Sequence, residues 1–381
     1  MMNFQESVEF LTKLVSIESQ TKNKIGVNLV QTEIESVLLK MNFKTTRIPH
    51  PENLYGDLLV AERMSNFSQA QWVHLIGHAD TVLASHLLKR EKMRLIGAGV
   101  ADNKGGVATL LYTLSQISHN DQIDHLRVVI SPNEEIGSLG FHDIFRNFGK
   151  TSSLNLGFEP GLEEGEFIRS RNGNRWYEIK LTSTSGHAGR APKGRINLNH
   201  RLAHFIVNLE KSLESYPNIK FQLTSLKNST DRFNVIPDEL IFKLDARFAN
   251  FNDRDHFHLL LTNQMQIFSE PCEQTGISVQ TELDIADDCP PMAGGDSLFD
   301  SLLPLPSTHS GGAADINYFS TPTSVNLDGC GGRGGMLHSK EEWFDLESMK
   351  ERGDFLSAFL LKRTEIRYKP DSVLNYHSSR P

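Results

Sequence analysis

Along the first 171 residues, apolar positions switch between two periods. Val27, Val30, Ile34 and Leu38 recur at helical spacing, as do Val107, Leu110, Leu111, Leu114 and Ile117. Between and after these stripes lie short continuous apolar runs at 73–76, 126–130 and 154–158, the pattern of strands buried on both faces. Such alternation predicts an α/β layer with a mostly parallel central sheet. Ahead of it, Phe4, Val8, Leu11 and Val15 share one face of a helix over 1–17. Glu6, Glu9 and Lys13 interrupt that stretch, so it does not read as a secretory signal.

The pattern changes near residue 171. Ile179 and Leu181 alternate with Glu178, Lys180 and Thr182, as in a strand with one wet face. A helical stripe follows (Leu198, Leu202, Phe205, Ile206, Leu209, Leu213), then strands at 221–226 and 240–246, a helix at 253–268 and a strand at 277–283. Strand, helix, strand, strand, helix, strand is the ferredoxin-like order. The chain thus divides into an α/β domain over 1–171, an inserted ferredoxin-like module over 172–285, and a return to the first domain over 286–381. The stretch 364–381 reads as a polar tail.

Composition narrows the function. The 381 residues carry 39 Lys+Arg against 47 Asp+Glu, a net charge of -8, with no long basic run. Nucleic acid and anionic membrane surfaces are poor partners for such a chain. No stretch nears the roughly 20 apolar residues of a membrane span. Three scattered cysteines (Cys272, Cys289, Cys330) predict a reducing, cytoplasmic setting.

The candidate chemistry stands where strands end. The 73–76 run leads into Gly77-His78-Ala79-Asp80-Thr81, the 126–130 run into Asn133-Glu134-Glu135, and the 154–158 run into Glu159. A fourth strand at 323–327 is followed by a glycine-rich loop and His338. Ligands of open α/β sheets sit outside the carboxyl ends of the strands, so these segments deliver His, Glu, Glu and His to one rim. Asp102 joins them from a glycine-rich turn. Two imidazoles and three carboxylates exceed what one structural zinc takes. They suit two zinc ions, or similar divalent ions such as cobalt or manganese, about 3.5–4 Å apart with one carboxylate between them.

These segments resemble the co-catalytic metallopeptidase family that contains bacterial glutamate carboxypeptidase, acetylornithine deacetylase and succinyl-diaminopimelate desuccinylase. The resemblance runs over about 8–361. It rests on His78-Ala79-Asp80-Thr81, Gly97 to Gly106 (Gly-x-Gly-x-x-Asp-x-Lys-Gly-Gly), Glu134-Glu135-Ile136-Gly137-Ser138 and His338-Ser339-Lys340-Glu341-Glu342. It implies that Asp102 bridges two metals, with His78 and Glu159 on one ion and Glu135 and His338 on the other. Asp80 would orient the His78 ring, and Glu134 would be the general base acting on a metal-bridging water. A cis peptide is implied at Asp102–Asn103; Asn103 is often Asp in the family. Ser185-Gly186-His187-Ala188-Gly189 implies a homodimer in which His187 reaches the partner's site and stabilises an oxyanion. Arg247 would hold a substrate carboxylate, with Asn234 near the same pocket and Gly311-Gly312-Ala313-Ala314-Asp315 lining it. Arg333, in the 329–335 loop, is a further candidate contact.

The expected activity is hydrolysis of an amide next to a free carboxylate, on an N-acyl amino acid or short peptide. Glu at position 159 matches the family's carboxypeptidase and deacylase branches, whereas its aminopeptidases carry Asp. An aminopeptidase or dipeptidase is the alternative enzyme. A binding relative that has lost the chemistry is a third reading, set against the presence of all five ligands and Glu134.

Overall fold

Continuous apolar runs pair with one another because both of their faces can be covered, and this is how the central layer forms. The computed structural model describes residues 2–67, 69–84, 88–120, 123–162, 164–191, 195–269, 278–293, 307–321 and 323–368. Among these, Trp72–His78 lies between His125–Ser131 and Ser152–Gly157, parallel to both, and Val325–Leu327 adds in parallel beyond Ser152–Gly157. Leu58–Arg63 and Lys44–Ile48 extend the other edge antiparallel, completing a six-stranded sheet. The expected mostly parallel sheet is present, with an antiparallel edge that the short apolar patterns did not announce.

Helices Lys24–Lys40 and Gly106–Gln116 lay their apolar stripes against this sheet: Val27, Val30, Ile34 and Leu38 from one, Val107, Leu110, Leu111 and Leu114 from the other. Phe4–Ser16 begins on a capping box, in which Asn3 accepts the Glu6 N–H and Glu6 accepts the Asn3 N–H. A second, smaller sheet is built from Gly334–Gly335, Trp343–Asp345, Arg94–Ile96 and Lys89–Glu91. The reading of 364–381 as a tail needs correction at its start. Helix Leu346–Tyr368 continues through 364–368, and Thr364 is buried with its hydroxyl donating to the Leu360 carbonyl at 2.9 Å. Polar composition alone does not distinguish the last turn of a helix from a tail.

The chain forms two compact units: Met1–Ser170 with Met292–Ser310 and Ala314–Pro381, and Arg171–Pro291 with Gly311–Ala313. In the second unit the strands lie in the order Ile219–Asn228, Glu239–Phe248, Gly173–Thr182, Gln280–Cys289, every pair antiparallel. Tyr177, Ile179 and Leu181 face a core shared with helices Leu198–Leu213 and Phe251–Ser269, as the alternation in the sequence requires. Ile277, where the last strand was expected to begin, lies outside the described residues.

Candidate metal centre

His78 ends its strand fully buried, and both ring nitrogens meet carboxylates. Nδ1 donates to the Asp80 carbonyl at 3.1 Å and lies 3.2 Å from Asp80 Oδ1. Nε2 lies 3.0 Å from Asp102 Oδ1, 3.7 Å from Glu159 Oε1 and 3.9 Å from Glu134 Oε2. His338, half exposed, places its Nε2 3.2 Å from Asp102 Oδ2 and 3.3 Å from Glu135 Oε2. The two oxygens of Asp102 therefore face two different histidines. One ligand atom each from His78, Asp102 and Glu135 lies within 4.8 Å of the others. All five expected ligand residues meet at the carboxyl ends of the parallel strands.

The electrostatics call for a cation. Burial foremost pushes Glu134 well up, His78 opposes the shift, and Glu159, Asp315 and Glu135 add to it. Glu135 and Asp315 are raised as well, again by burial first. Burial works against ionised Asp102 too, but hydrogen bonds from His338 and His78 hold it well below the carboxylate range. His78 moves the other way: burial lowers it, and Asp102, Asp80, Glu159 and Glu134 together raise it well above the ordinary value. Glu135 Oε1 is buried with no hydrogen-bond partner among the described residues. An orphaned carboxylate oxygen amid gathered acids, with imidazole nitrogens on both sides, is a donor set that could hold a metal ion.

The supporting bonds explain how these groups stay together. Asp80, fully buried, does more than face the His78 ring. Its Oδ1 accepts the Glu134 N–H at 3.0 Å, its Oδ2 the Glu135 N–H at 3.4 Å and the Thr21 hydroxyl at 2.7 Å. Glu342 seats the Asp102 turn by accepting the N–H groups of Gly99, Ala101 and Asp102 at 2.8–3.0 Å. Burial pushes Glu342 up to about 7 against those three bonds. Asn103 donates to the Phe158 carbonyl at 2.8 Å, and its Oδ1 accepts the His78 N–H at 3.3 Å. A Cβ at Gly106 would sit 1.8 Å from that same Phe158 carbonyl, so only glycine lets the turn approach the strand that leads to Glu159. The Asp102–Asn103 peptide is cis. Asp315 accepts from Ser131. The sequence marked Glu342 only as the last residue of the 338–342 motif and flagged neither its seat for the Asp102 turn, nor Thr21, nor the Asp80 bonds to main chain, because their partners are backbone groups or lie far along the chain.

The remaining candidates, Arg333 apart, lie in the second unit. His187 is exposed on a two-residue strand paired with Val235–Ile236, and its Nδ1 accepts the Gly189 N–H at 3.2 Å. In the neutral ring the proton then sits on Nε2. The Asn234 carbonyl accepts the Ala188 N–H at 3.0 Å, which puts these two candidates side by side. Arg247 engages Asp245 through Nε and Nη2 at 2.9 and 2.7 Å. Gly312 offers its carbonyl to Arg171 at 3.1 Å, and the space around Gly311 is open. Arg333, in the first unit, pairs with Asp345 at 2.8 Å.

Known proteins share this architecture. The chain is 27% identical over 256 residues to carboxypeptidase G2 of Pseudomonas sp. (strain RS-16), covering 65% of this chain and 61% of that protein. It is 28% identical over 169 residues to succinyl-diaminopimelate desuccinylase of Xanthomonas euvesicatoria pv. vesicatoria (strain 85-10), covering 41% and 45%. The matches thus span less than two thirds of these curated relatives. Among solved structures, aminopeptidase PepT from Bacillus cereus ATCC 10987 superposes with a TM-score of 0.76 at 14% identity, over 94% of this chain and 98% of that one. The metallo-carboxypeptidase Sso-CP2 from Sulfolobus solfataricus gives 0.72 at 14%, over 93% and 98%. At such identities the likeness establishes the fold. A family model matches from residue 74 to residue 362, which takes in every ligand candidate and most of the chain, and by it the protein belongs to peptidase family M20/M25/M40.

Proposed function

We propose that the protein is a divalent-metal hydrolase that cleaves an amide next to a free carboxylate, on an N-acyl amino acid or short peptide. The observation that carries this reading is Asp102, whose two oxygens face His78 and His338 separately while Glu159 and Glu135 flank the two histidines. His78 and Glu159 would hold one ion, Glu135 and His338 the other, and Asp102 would join them. Bound zinc, cobalt or manganese would supply Lewis-acid polarisation of the scissile carbonyl and a more acidic water.

The chain's own groups do the rest. Glu134 is fixed at its main-chain N–H by Asp80, and burial raises its proton affinity. It would accept a proton from the attacking water and release it to the departing nitrogen. His187, with Nε2–H free to donate, would steady the oxyanion, arriving from the second subunit of a homodimer. Arg247 would take the substrate carboxylate with the nitrogen that Asp245 leaves available, with Asn234, Gly311 and Gly312 as neighbours in the pocket. The named relatives of similar sequence, a carboxypeptidase and a desuccinylase, support this substrate class, as does Glu rather than Asp at 159.

Two measurements test it. Elemental analysis of the purified protein should find about two divalent ions per chain; protein that stays metal-free after incubation with zinc overturns the proposal. N-acyl amino acids and dipeptides should be hydrolysed, with C-terminal amides poor substrates. Turnover confined to C-terminally blocked peptides with free amino ends would replace this reading with an aminopeptidase. If His187 acts between subunits, mixing His187→Ala with Glu134→Ala protein should restore activity in hybrid dimers; proven exchange without rescue rejects that role.

A further inference from the structure

The segment after Glu159 and the loop before His338 are laced together by main chain. Gly331 N–H donates to the Glu159 carbonyl and Gly161 N–H to the Gly332 carbonyl, each at 3.0 Å, and Asp345 N–H to the Arg333 carbonyl at 2.9 Å. Against these segments lies a cavity of about 280 Å³, lined by Glu164, Phe167, Arg333, Glu351, Arg352 and Phe355. None of these residues belongs to the metal cluster.

Arg352 is the unusual member. It is only 6% exposed, its Nη2 donates to the Gly165 carbonyl at 2.9 Å, and its guanidinium lies 3.7 Å from the centre of the Phe167 ring. It forms no ion pair among the described residues. A buried guanidinium that makes no ion pair is unfavourable, and burial foremost, with Arg333 adding like charge and the charge of Glu351 opposing, depresses its proton affinity. The nearby Cys330 cannot serve as the counter-charge, because burial keeps it a neutral thiol. An unpaired fork-shaped cation lining a cavity is suited to a carboxylate or a phosphate.

The rest of the lining decides between them. Glu164 and Glu351 are exposed acids on the same cavity, which repel a doubly charged phosphate and attract an ammonium. Phe167 and Phe355, with ring centres 5.7 Å apart, supply an apolar wall. The volume lies below the range typical of drug-sized ligands. We propose that this cavity is a second ligand site, binding a free apolar α-amino acid. Arg352 takes the carboxylate, Glu351 and Glu164 take the ammonium, and the two phenylalanines hold the side chain. The binding claim stands apart from the proposed catalysis. If that catalysis is right, the ligand is also a class of its product.

Equilibrium dialysis of the full-length protein tests this with L-leucine, L-leucinamide, 4-methylpentanoate and inorganic phosphate at millimolar concentration. L-leucine should bind saturably. The amide, lacking the carboxylate, and 4-methylpentanoate, lacking the ammonium, should each bind at least tenfold more weakly. Arg352→Gln should abolish L-leucine binding. Glu351→Lys, an exposed change that leaves the fold intact, should weaken it at least tenfold. L-leucine binding unchanged in Glu351→Lys would place the ligand elsewhere, the metal centre included, and overturns the proposal. So does an absence of saturable L-leucine binding, or a site that prefers phosphate.

Discussion

Two histidines on one strand, His74 and His78, show how the same degree of burial leads to opposite chemistry. They stand four residues apart, so they share a face of the Trp72–His78 strand, and neither is exposed. His74 is bracketed by an amide and a cation. Its Nδ1 donates to Asn155 Oδ1 at 3.0 Å, and its Nε2 accepts from Arg127 at 3.1 Å. Burial, and then the charge of Arg127, lower its pKa to about 3, which keeps the ring neutral. His78 is bracketed by Asp80 and Asp102, and there burial loses to its partners. Desolvation sets the stake for a buried imidazole; the neighbours decide which way it falls. One end of the strand is thereby a structural knot and the other, on the function proposed above, a reactive one.

The knot has a definite construction. Arg127 lies between the rings of Trp72 and Phe148, 4.0 and 4.1 Å from their centres, and donates to Glu62 at 2.7 Å. Asn155 passes the network on to Asn326 at 2.8 Å and to the Phe319 carbonyl at 3.1 Å. Among the described residues, each of these buried side chains finds a partner, as a buried network demands.

The sharpest break of the comparison comes at the reactive end. Glu134→Gln should lower kcat by about 10²–10⁴-fold while metal content stays unchanged, as measured by steady-state kinetics beside elemental analysis. Retained turnover would reject Glu134 as the base. At the structural end, His74→Leu strands Arg127 Nη1 and the Asn155 carbonyl oxygen, each worth about 1–3 kcal/mol when buried unpaired. Urea unfolding should show a loss of about 2–4 kcal/mol, with metal content intact; a parallel loss of metal would show that the two ends are not separable. Asp80→Asn should weaken metal binding by about 10–100-fold through both the His78 ring and the Glu134–Glu135 turn, read by competition with a chelator.

The gentlest test is a pH titration of stability. His74 binds its proton near pH 3 when folded and near 6.5 when unfolded, so the unfolded chain takes up more protons between those values. Its contribution is complete above pH 6.5 and is lost as pH falls toward 3. Replacing it with Gln should flatten the stability curve across that window by up to about 1.4 kcal/mol per pH unit. An unchanged slope in denaturant melts would mean that the ring is not neutral.

The reactive end was easier to read from the sequence than the structural one. Apolar runs ending in His78, Glu135 and Glu159 place those residues at one edge by topology alone, and the structure brings them together with Asp102 and His338. His74 and Arg127 stand inside apolar strands and carry no motif; their meaning depends on register, which pairs residue 74 with 127 and 155. The small sheet was equally hidden, since strands of two or three residues are too short to show a period. In the second unit, ten-residue strands with one wet face displayed their alternation openly.

The seat that Glu342 makes for the Asp102 turn has a consequence for how the protein is produced. Its three bonds recognise main-chain N–H groups, so they impose a shape on residues 99–102 without reading the side chains there. Asp102 and Glu342 are separated by 240 positions. On the ribosome, the central strands can pair long before position 342 has been made, while the Asp102 turn must wait for it. A chain cut short ahead of residue 342 would lose the mount on which the proposed chemistry hangs, and with it the helix whose Leu356, Phe359 and Leu360 share the core of the sheet.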